Sequence, residues 1–315
     1  MDETIGVIGL GPMGGNIAGL LLQKQMHVTG FDVDADCMAA LDDLGLTAAA
    51  DAAALAADAD IIITSLPSLA ALDDVLTHII SADKPGQIVI ECSTLAPEDK
   101  EAAAARLADA GQILLDAPIS ATPAMLAKGM ASIHISGDRA AYEKCLPVFE
   151  GFTASNFFIG KTAGLGSKMK ILANYLVHVH VTAAAECMTL GQKAGLDPEL
   201  IHSVLTASAG TSKMLEIRGA MMAKSDYREG GGTMFKVFEK DAGIITEFAA
   251  SVHAPIDLYV SSRQKMNSAI AQGLGHLDTS AVCKAIESAA GVDRDLVEDC
   301  RGGRPVRRSW SVANA

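Results

Sequence analysis

The chain has 315 residues, a length that points to about two domains, and half of them are apolar, enough for a sizeable core. Its formal net charge of −13 argues against a general nucleic-acid binder, which needs clustered Lys and Arg. No run of ~18 uncharged apolar residues stands out as a membrane span, and "MDETIGVIG" lacks the basic lead of a signal peptide, so the expected location is the cytoplasm.

In chain order, "TIGVIG" (4–9) reads as a buried strand, followed by "GLGPMGGNIAGLLLQK", where Met13, Ile17, Leu20 and Leu21 recur at helical spacing. "HVTGF" is a second strand and ends at Asp32. "TAAADAAALAADAD" looks like a short surface helix, and "IIITSLP" (61–67) and "QIVIECS" (87–93) are further short apolar runs. "LAALDDVLTHII" is helical between them, and "ILLDAPI", "ASIHISG" and "SNFFIG" complete the strand candidates. Apolar strands alternating with helices predict an α/β, Rossmann-type, doubly wound parallel sheet.

After about residue 163 the strand signals stop. Helical patterns follow at 165–194, 197–207, 211–223, 233–251, 255–273 and 278–290. The first is about 30 residues, or ~45 Å, long enough to start at a domain junction and run through a second core. The expected organisation is a dinucleotide-binding domain over 1–163, an all-α substrate and dimerisation domain over 164–292, and a charged, flexible tail over 293–315. That tail contains "RGGRPVRRSW", four Arg in ten residues, read as a disordered end or an oligomer contact. Six cysteines show no C-x-x-C spacing and fit buried thiols in a reducing compartment. The eight histidines form no ligand cluster, so no metal is expected.

Gly9, Gly11 and Gly14 form G-x-G-x-x-G between the first strand and the first helix, with Leu10, Pro12 and Met13 completing the loop. The first Gly permits the tight turn, the second lets backbone approach a pyrophosphate, and the third lets helix pack on strand. The helix N-terminus offers N–H groups to the phosphates. Asp32, at the end of the second strand, can accept hydrogen bonds from ribose hydroxyls and would repel a 2′-phosphate; Val33 follows where an Arg could have held that phosphate. NAD is expected over NADP.

"GLGSKMKILANYL" (164–176) opens a helix that stays apolar for two more turns yet carries Lys170 and Asn174 at i,i+4, on one face. A Lys on such a helix must find a partner or a cleft, and a partly buried Lys can be tuned for acid–base work.

Together "IGLGPMGGNIAGLLL", "TSLPS", "ECSTLAPE", "DAPIS", "GLGSKMKILANY" and "FEKDAG", in this order over residues 4–292, resemble the β-hydroxyacid dehydrogenases, the family of 3-hydroxyisobutyrate dehydrogenase and tartronate semialdehyde reductase. The resemblance implies a two-domain NAD(P)-dependent oxidoreductase acting on a small 2- or 3-hydroxy acid. It implies that Lys170, in the signature Gly164, Gly166, Lys170, Asn174, transfers the proton, and that Asn174 holds it or the substrate. It places Leu66, Pro67 and Thr94 beside the cofactor and Lys240 at the nicotinamide end. It gives the substrate carboxylate to Ser120 and the two residues after it. Those two are Gly in the family and are Ala121 and Thr122 here, followed by Pro123, which removes an N–H donor. The family's second Asn after the Lys motif is replaced by Tyr175. "SAGTSKMLEIR", "SDY" and "VFEKDAGI" look similar to the branch acting on four-carbon sugar acids such as L-threonate. The implied partners are a small carboxylate substrate and a second or further copies of the chain, as a homodimer or homotetramer, with no membrane and no nucleic acid. Two other readings stay open: a reductase of a non-acid carbonyl or imine, and a non-catalytic NAD-binding protein.

Overall fold

The computed structural model describes residues 3–228, 235–292, 294, 296–298 and 305–307, the last two stretches as backbone. The described chain divides into two compact units. One is Met1–Asn174 with Ile244–Phe248, and the other is Tyr175–Gly243 with Ala249–Ala315.

The first unit is built on a nine-stranded sheet. Its elements are β1 (Ile5–Ile8), α1 (Gly14–Gln23), β2 (Val28–Phe31), α2 (Ala35–Ala39), β3 (Thr47–Ala48), α3 (Ala52–Asp58), β4 (Ile61–Thr64), α4 (Leu69–Ser81) and β5 (Ile88–Glu91). There follow α5 (Pro97–Asp109), β6 (Ile113–Asp116), β7 (Ile119–Ser120), α6 (Pro123–Leu126), β8 (Ser132–Gly137), α7 (Arg139–Lys144), α8 (Leu146–Phe152) and β9 (Ser155–Gly160). The strand order is β3-β2-β1-β4-β5-β6-β8-β7, with β9 pairing to β8. Strands β1, β4 and β5 are buried at every residue, as strands covered on both faces must be. Side chains alternate between two cores: Ile61 and Ile63 join Ile17, Leu21 and Phe149 on one face, while Ile62 joins Leu55, Leu72 and Leu107 on the other.

Two details refine the expected parallel sheet. Strand β8 runs antiparallel to β6 and β7, pairing Asp116 with Ser136. The stretch read as one surface helix holds the short strand β3 and then α3, whose Ala52, Leu55 and Ala56 are buried.

The second unit is mostly helical. Helix α9 (Leu165–Lys193) contributes its residues up to Asn174 to the first unit and the rest here. It is followed by α10 (Pro198–Thr206), α11 (Ala220–Lys224), α12 (Phe235–Ser251), α13 (Asp257–Ala271) and α14 (Val282–Ala290). Val181, Ala185, Met188, Ile201, Met222, Phe235, Phe238, Met266 and Val282 form its core. The regular helix expected over 211–223 is instead a π-helical turn, Leu215–Gly219, leading into α11. A Cβ at Gly219 would sit 2.9 Å from His202 of α10, so the wider turn falls where two helices approach closely. In the region expected to be a flexible tail, the backbone of β10 (Leu296–Glu298) pairs antiparallel with β11 (Pro305–Arg307). The other Arg-rich positions, 301–304 and 308–310, lie outside the described residues. Among the described residues no helix is long and apolar enough to cross a membrane.

Candidate active site in the sheet unit

The parallel register aligns Ile8 with Phe31 and Thr64, Thr64 with Glu91, and Glu91 with Asp116. All five strands therefore end along one carboxyl edge, and the chain order reverses between β1 and β4, where open α/β sheets take their ligands. The residues following those ends are the glycine loop, Asp32, Leu66–Pro67 and Thr94.

Gly9 has φ +86°, a left-handed turn that a side chain would strain, and a Cβ at Gly14 would collide with the Gly9 carbonyl. Gly11 is different: a Cβ there would meet nothing within 4 Å. Its bare backbone faces open space of the kind a pyrophosphate fills. Helix α1, preceded by Met13, has no side-chain cap, as is also true of α5 and α8, which instead carry Pro in their first turn, whereas α2, α3, α4 and α7 are capped by Asp34, Asp51, Ser68 and Asp138. An uncapped N-terminus behind a bare glycine loop fits a dinucleotide phosphate.

Asp32 is half-buried and both its oxygens accept backbone N–H groups, Oδ2 from Leu10 at 2.6 Å and Oδ1 from Asp34 at 2.9 Å. Burial first, and then the negative field of Asp32, Asp34 and Asp36, push the Cys37 thiol pKa up. That field opposes a 2′-phosphate, and Val33 beside it is exposed and carries no charge. Leu66 donates its N–H to Ser93 Oγ at 2.8 Å, which ties the Leu66–Pro67 turn to the "CST" segment of Thr94.

Ser120 ends β7, paired with Ser132. Ala121 packs against the sheet core. Thr122 Oγ1 accepts from Met125 N–H at 3.3 Å and caps α6, so this hydroxyl already has a structural partner. Asn16 of α1 donates to the Pro12 carbonyl at 2.7 Å and to the Pro123 carbonyl at 3.4 Å, linking the glycine loop to the 121–123 segment.

Lys170 and Asn174 are 9% and 8% exposed, one turn apart in the part of α9 that belongs to this unit. Gly164 has φ +91°, and a Cβ at Gly166 would collide with the backbone oxygens of His134 and Asp116. Gly166 thus lets α9 begin tight against β6 and β8, and Gly164 lets the preceding turn pass close to Pro97 and Glu101 of α5. Burial and, next, the Lys170 charge hold the His134 pKa below its ordinary value, so the imidazole beside Lys170 is neutral.

The sequence reading missed the buried polar cluster beneath this site. Glu91, Lys100, Asp116 and Ser136 are all fully buried. Lys100 Nζ contacts Glu91 Oε2 and lies 3.3 Å from Asp116 Oδ1. Asp116 Oδ2 accepts the N–H groups of Gly164 at 3.0 Å and Ser167 at 2.8 Å, and Oδ1 accepts the Ser167 hydroxyl at 2.8 Å. Ser136 Oγ accepts the Gly166 N–H at 2.9 Å. The acidic ends of "IVIE" and "ILLD" were the available signal, since a charge closing an otherwise apolar strand needs a partner.

Lys240 belongs to the helical unit, half-exposed on α12, with Nζ 3.9 Å from Asp241 Oδ1. That unit has a small pocket lined by His178, Phe238, Glu239, Arg263 and Asn267 among others. His178 stacks on Phe238, centroids 4.0 Å apart, and its Nδ1 pairs with the Tyr259 hydroxyl at 3.0 Å. Among the described residues no group of three or more His, Cys, Asp or Glu side chains could hold a metal ion.

The glycine loop, the start of α1 and the strand-end carboxylate fit the binding of a dinucleotide. The model for the NAD-binding domain of 6-phosphogluconate dehydrogenase matches residues 4–160, and that for the NAD-binding region of NADP-dependent 3-hydroxyisobutyrate dehydrogenase matches residues 164–286. The L-threonate dehydrogenase of Cupriavidus necator is 34% identical over 287 residues, 90% of this chain and 96% of that protein. The L-threonate dehydrogenase of Escherichia coli K12 is 32% identical over 89% of this chain and 93% of its own length. The crystal structure of a 3-hydroxyisobutyrate dehydrogenase from Salmonella typhimurium superposes with a TM-score of 0.80 at 32% identity, covering 90% of this chain and 99% of that one. The chain belongs to the β-hydroxyacid dehydrogenase family, and is an NAD(P)-dependent oxidoreductase of hydroxy acids.

Proposed function

We propose that the chain oxidises the carbinol of a small polar 2- or 3-hydroxy acid, or reduces the matching carbonyl, with Lys170 as the acid–base group. The observation that carries this is a buried Lys170–Asn174 pair in the same compact unit as the glycine loop. The nicotinamide supplies hydride acceptance and donation when bound. Lys170 Nζ takes the hydroxyl proton during oxidation and returns it during reduction, while Asn174 holds the ammonium or the substrate oxygen. Gly9, Leu10, Gly11, Pro12, Met13 and Gly14 hold the pyrophosphate, and Asp32 selects NAD over NADP. Leu66, Pro67 and Thr94 line the cofactor, Lys240 serves its nicotinamide end, and Ser120, Ala121 and Thr122 meet the acid. This assigns cofactor binding to residues 1–163 and substrate binding with self-association to 164–292. Likeness to L-threonate dehydrogenases puts four-carbon sugar acids first among substrates. A cytoplasmic homodimer or homotetramer completes the reading.

The test compares wild type with Lys170→Ala for NADH formation on threonate, glycerate and 3-hydroxyisobutyrate. The expected result is turnover on one acid, lost by about 100-fold or more in the variant with NAD still bound. Equal turnover in the two proteins would remove Lys170 from its role. The Thr122 cap and the missing N–H of Pro123 favour a second reading, reduction of a neutral carbonyl or imine. Activity on neutral aldehydes and none on acids would establish it.

A further inference from the structure

Four strand ends, Thr64, Glu91, Asp116 and Ser136, meet at one buried polar cluster around Lys100. On one side, Glu91 Oε1 accepts the Ser93 N–H at 3.0 Å, and Ser93 Oγ in turn holds the Leu66 N–H at 2.8 Å. These contacts fix the two turns assigned to the cofactor. On the other side, Asp116 takes two N–H groups and one hydroxyl from the first turn of α9, and Ser136 takes a third N–H. A carboxylate at a helix N-terminus satisfies orphan donors and complements the helix dipole. Lys170 begins one turn further along that helix. Two carboxylates buried side by side would repel strongly without a cation between them. Lys100 is that cation, bonded to the Glu91 carboxylate and carbonyl and 3.3 Å from Asp116.

We infer that Asp116, held by Lys100, is a positioning residue: it sets where α9 starts against the sheet, and so where Lys170 stands relative to the cofactor turns that Glu91 fixes. This rests on Lys170 being the acid–base group. Asp116 touches neither substrate nor cofactor and acts through Lys170. Its removal should therefore slow the proton-transfer step, move the pH dependence of kcat, and leave the cofactor's grip intact. A residue that merely stabilised the fold would instead lower melting temperature and active fraction, with the pH profile of the surviving enzyme unchanged.

The experiment is a double-mutant cycle with Asp116→Asn and Lys170→Ala in the full chain, reading kcat against pH and the NAD dissociation constant by quenching or calorimetry. Asp116→Asn alone should lower kcat by about tenfold or more, shift the Lys170-dependent limb of the pH profile, and change NAD affinity less than about threefold. In the Lys170→Ala background the same substitution should cost almost nothing further. Should Asp116→Asn not fold, Ser167→Ala, which removes only the hydroxyl bond to Asp116, carries the same readouts with a smaller loss of about three- to fivefold. Lys100→Arg should keep kcat closer to wild type than Lys100→Met. An unshifted pH profile in a folded variant, or an equal loss with and without Lys170, overturns the inference. Undiminished turnover in Lys170→Ala alone would instead overturn the acid–base reading, so the two failures are distinct.

Discussion

Leu10 donates its backbone N–H to Asp32 Oδ2 at 2.6 Å, so the carboxylate proposed to read the ribose also braces the glycine loop. The two roles separate in two variants. Asp32→Asn keeps an acceptor for Leu10 and discards the charge, so its KM for NADP should fall about tenfold or more while NAD binding weakens only modestly. Asp32→Ala discards both and should also weaken NAD by about tenfold, since a hydrogen bond to a charged acceptor is worth about 1.5–3 kcal/mol. Steady-state KM values for both cofactors read the difference.

Gly11 and Gly14 should fail in opposite ways. Gly14→Ala drives a Cβ into the Gly9 carbonyl and should destabilise the fold by about 1–3 kcal/mol or more, visible as a lower melting temperature or insoluble protein. Gly11→Ala meets open space, so its melting temperature should match wild type while NAD affinity drops about tenfold or more. Thermal melts paired with NAD titrations distinguish the two.

The 121–122 departure is directly reversible. In the Ala121→Gly, Thr122→Gly variant the cap on Met125 is lost, at roughly a few tenths of a kcal/mol of stability, and the family's two glycines return. The KM for the hydroxy acid should fall about fivefold or more while the KM for NAD holds. An unchanged acid KM would take these two positions out of the substrate site.

His178 predicts an acid limb of stability. The ring is 2% exposed, and burial, followed by the charges of Arg218 and Arg263, lowers its pKa to about 3. The unfolded chain takes up a proton near pH 6.5 while the folded chain stays neutral, so stability is lost as pH falls from about 6.5 toward 3. At pH 5 this amounts to about 2 kcal/mol. His178→Gln should flatten that slope in denaturant melts at pH 7 and pH 5.

Much of this arrangement can be read along the chain, because alternating apolar strands and helices, a glycine fingerprint and an acidic strand end each reflect a local rule. Asp32, the glycine loop and the Lys170–Asn174 pair are visible that way. Lys100 is not: "PEDKEAAAARLADA" looks like a solvated, amphipathic helix, and only the pairing of β5 with β6 sets Glu91 and Asp116 on either side of that lysine. The reversal of β8 is equally silent, since "ASIHISG" has the same composition whichever way it runs, and its direction is what puts Ser136 beside Asp116. Long-range pairing, rather than local propensity, carries that part of the site.

By linkage, a chain that binds its dinucleotide only when folded gains stability from the supply of that coenzyme. The start of α1 has no side-chain cap, and although the Gly15 N–H already meets the Gly11 carbonyl at 2.8 Å, a phosphate bound there would add acceptors that the side chains do not supply. By mass action, ligand at a hundred times its dissociation constant deepens the folded well by about 2.7 kcal/mol. A fall in dinucleotide level would then do more than idle the enzyme: it would raise the fraction of molecules open to proteolysis, and the amount of protein would track the pool it draws on.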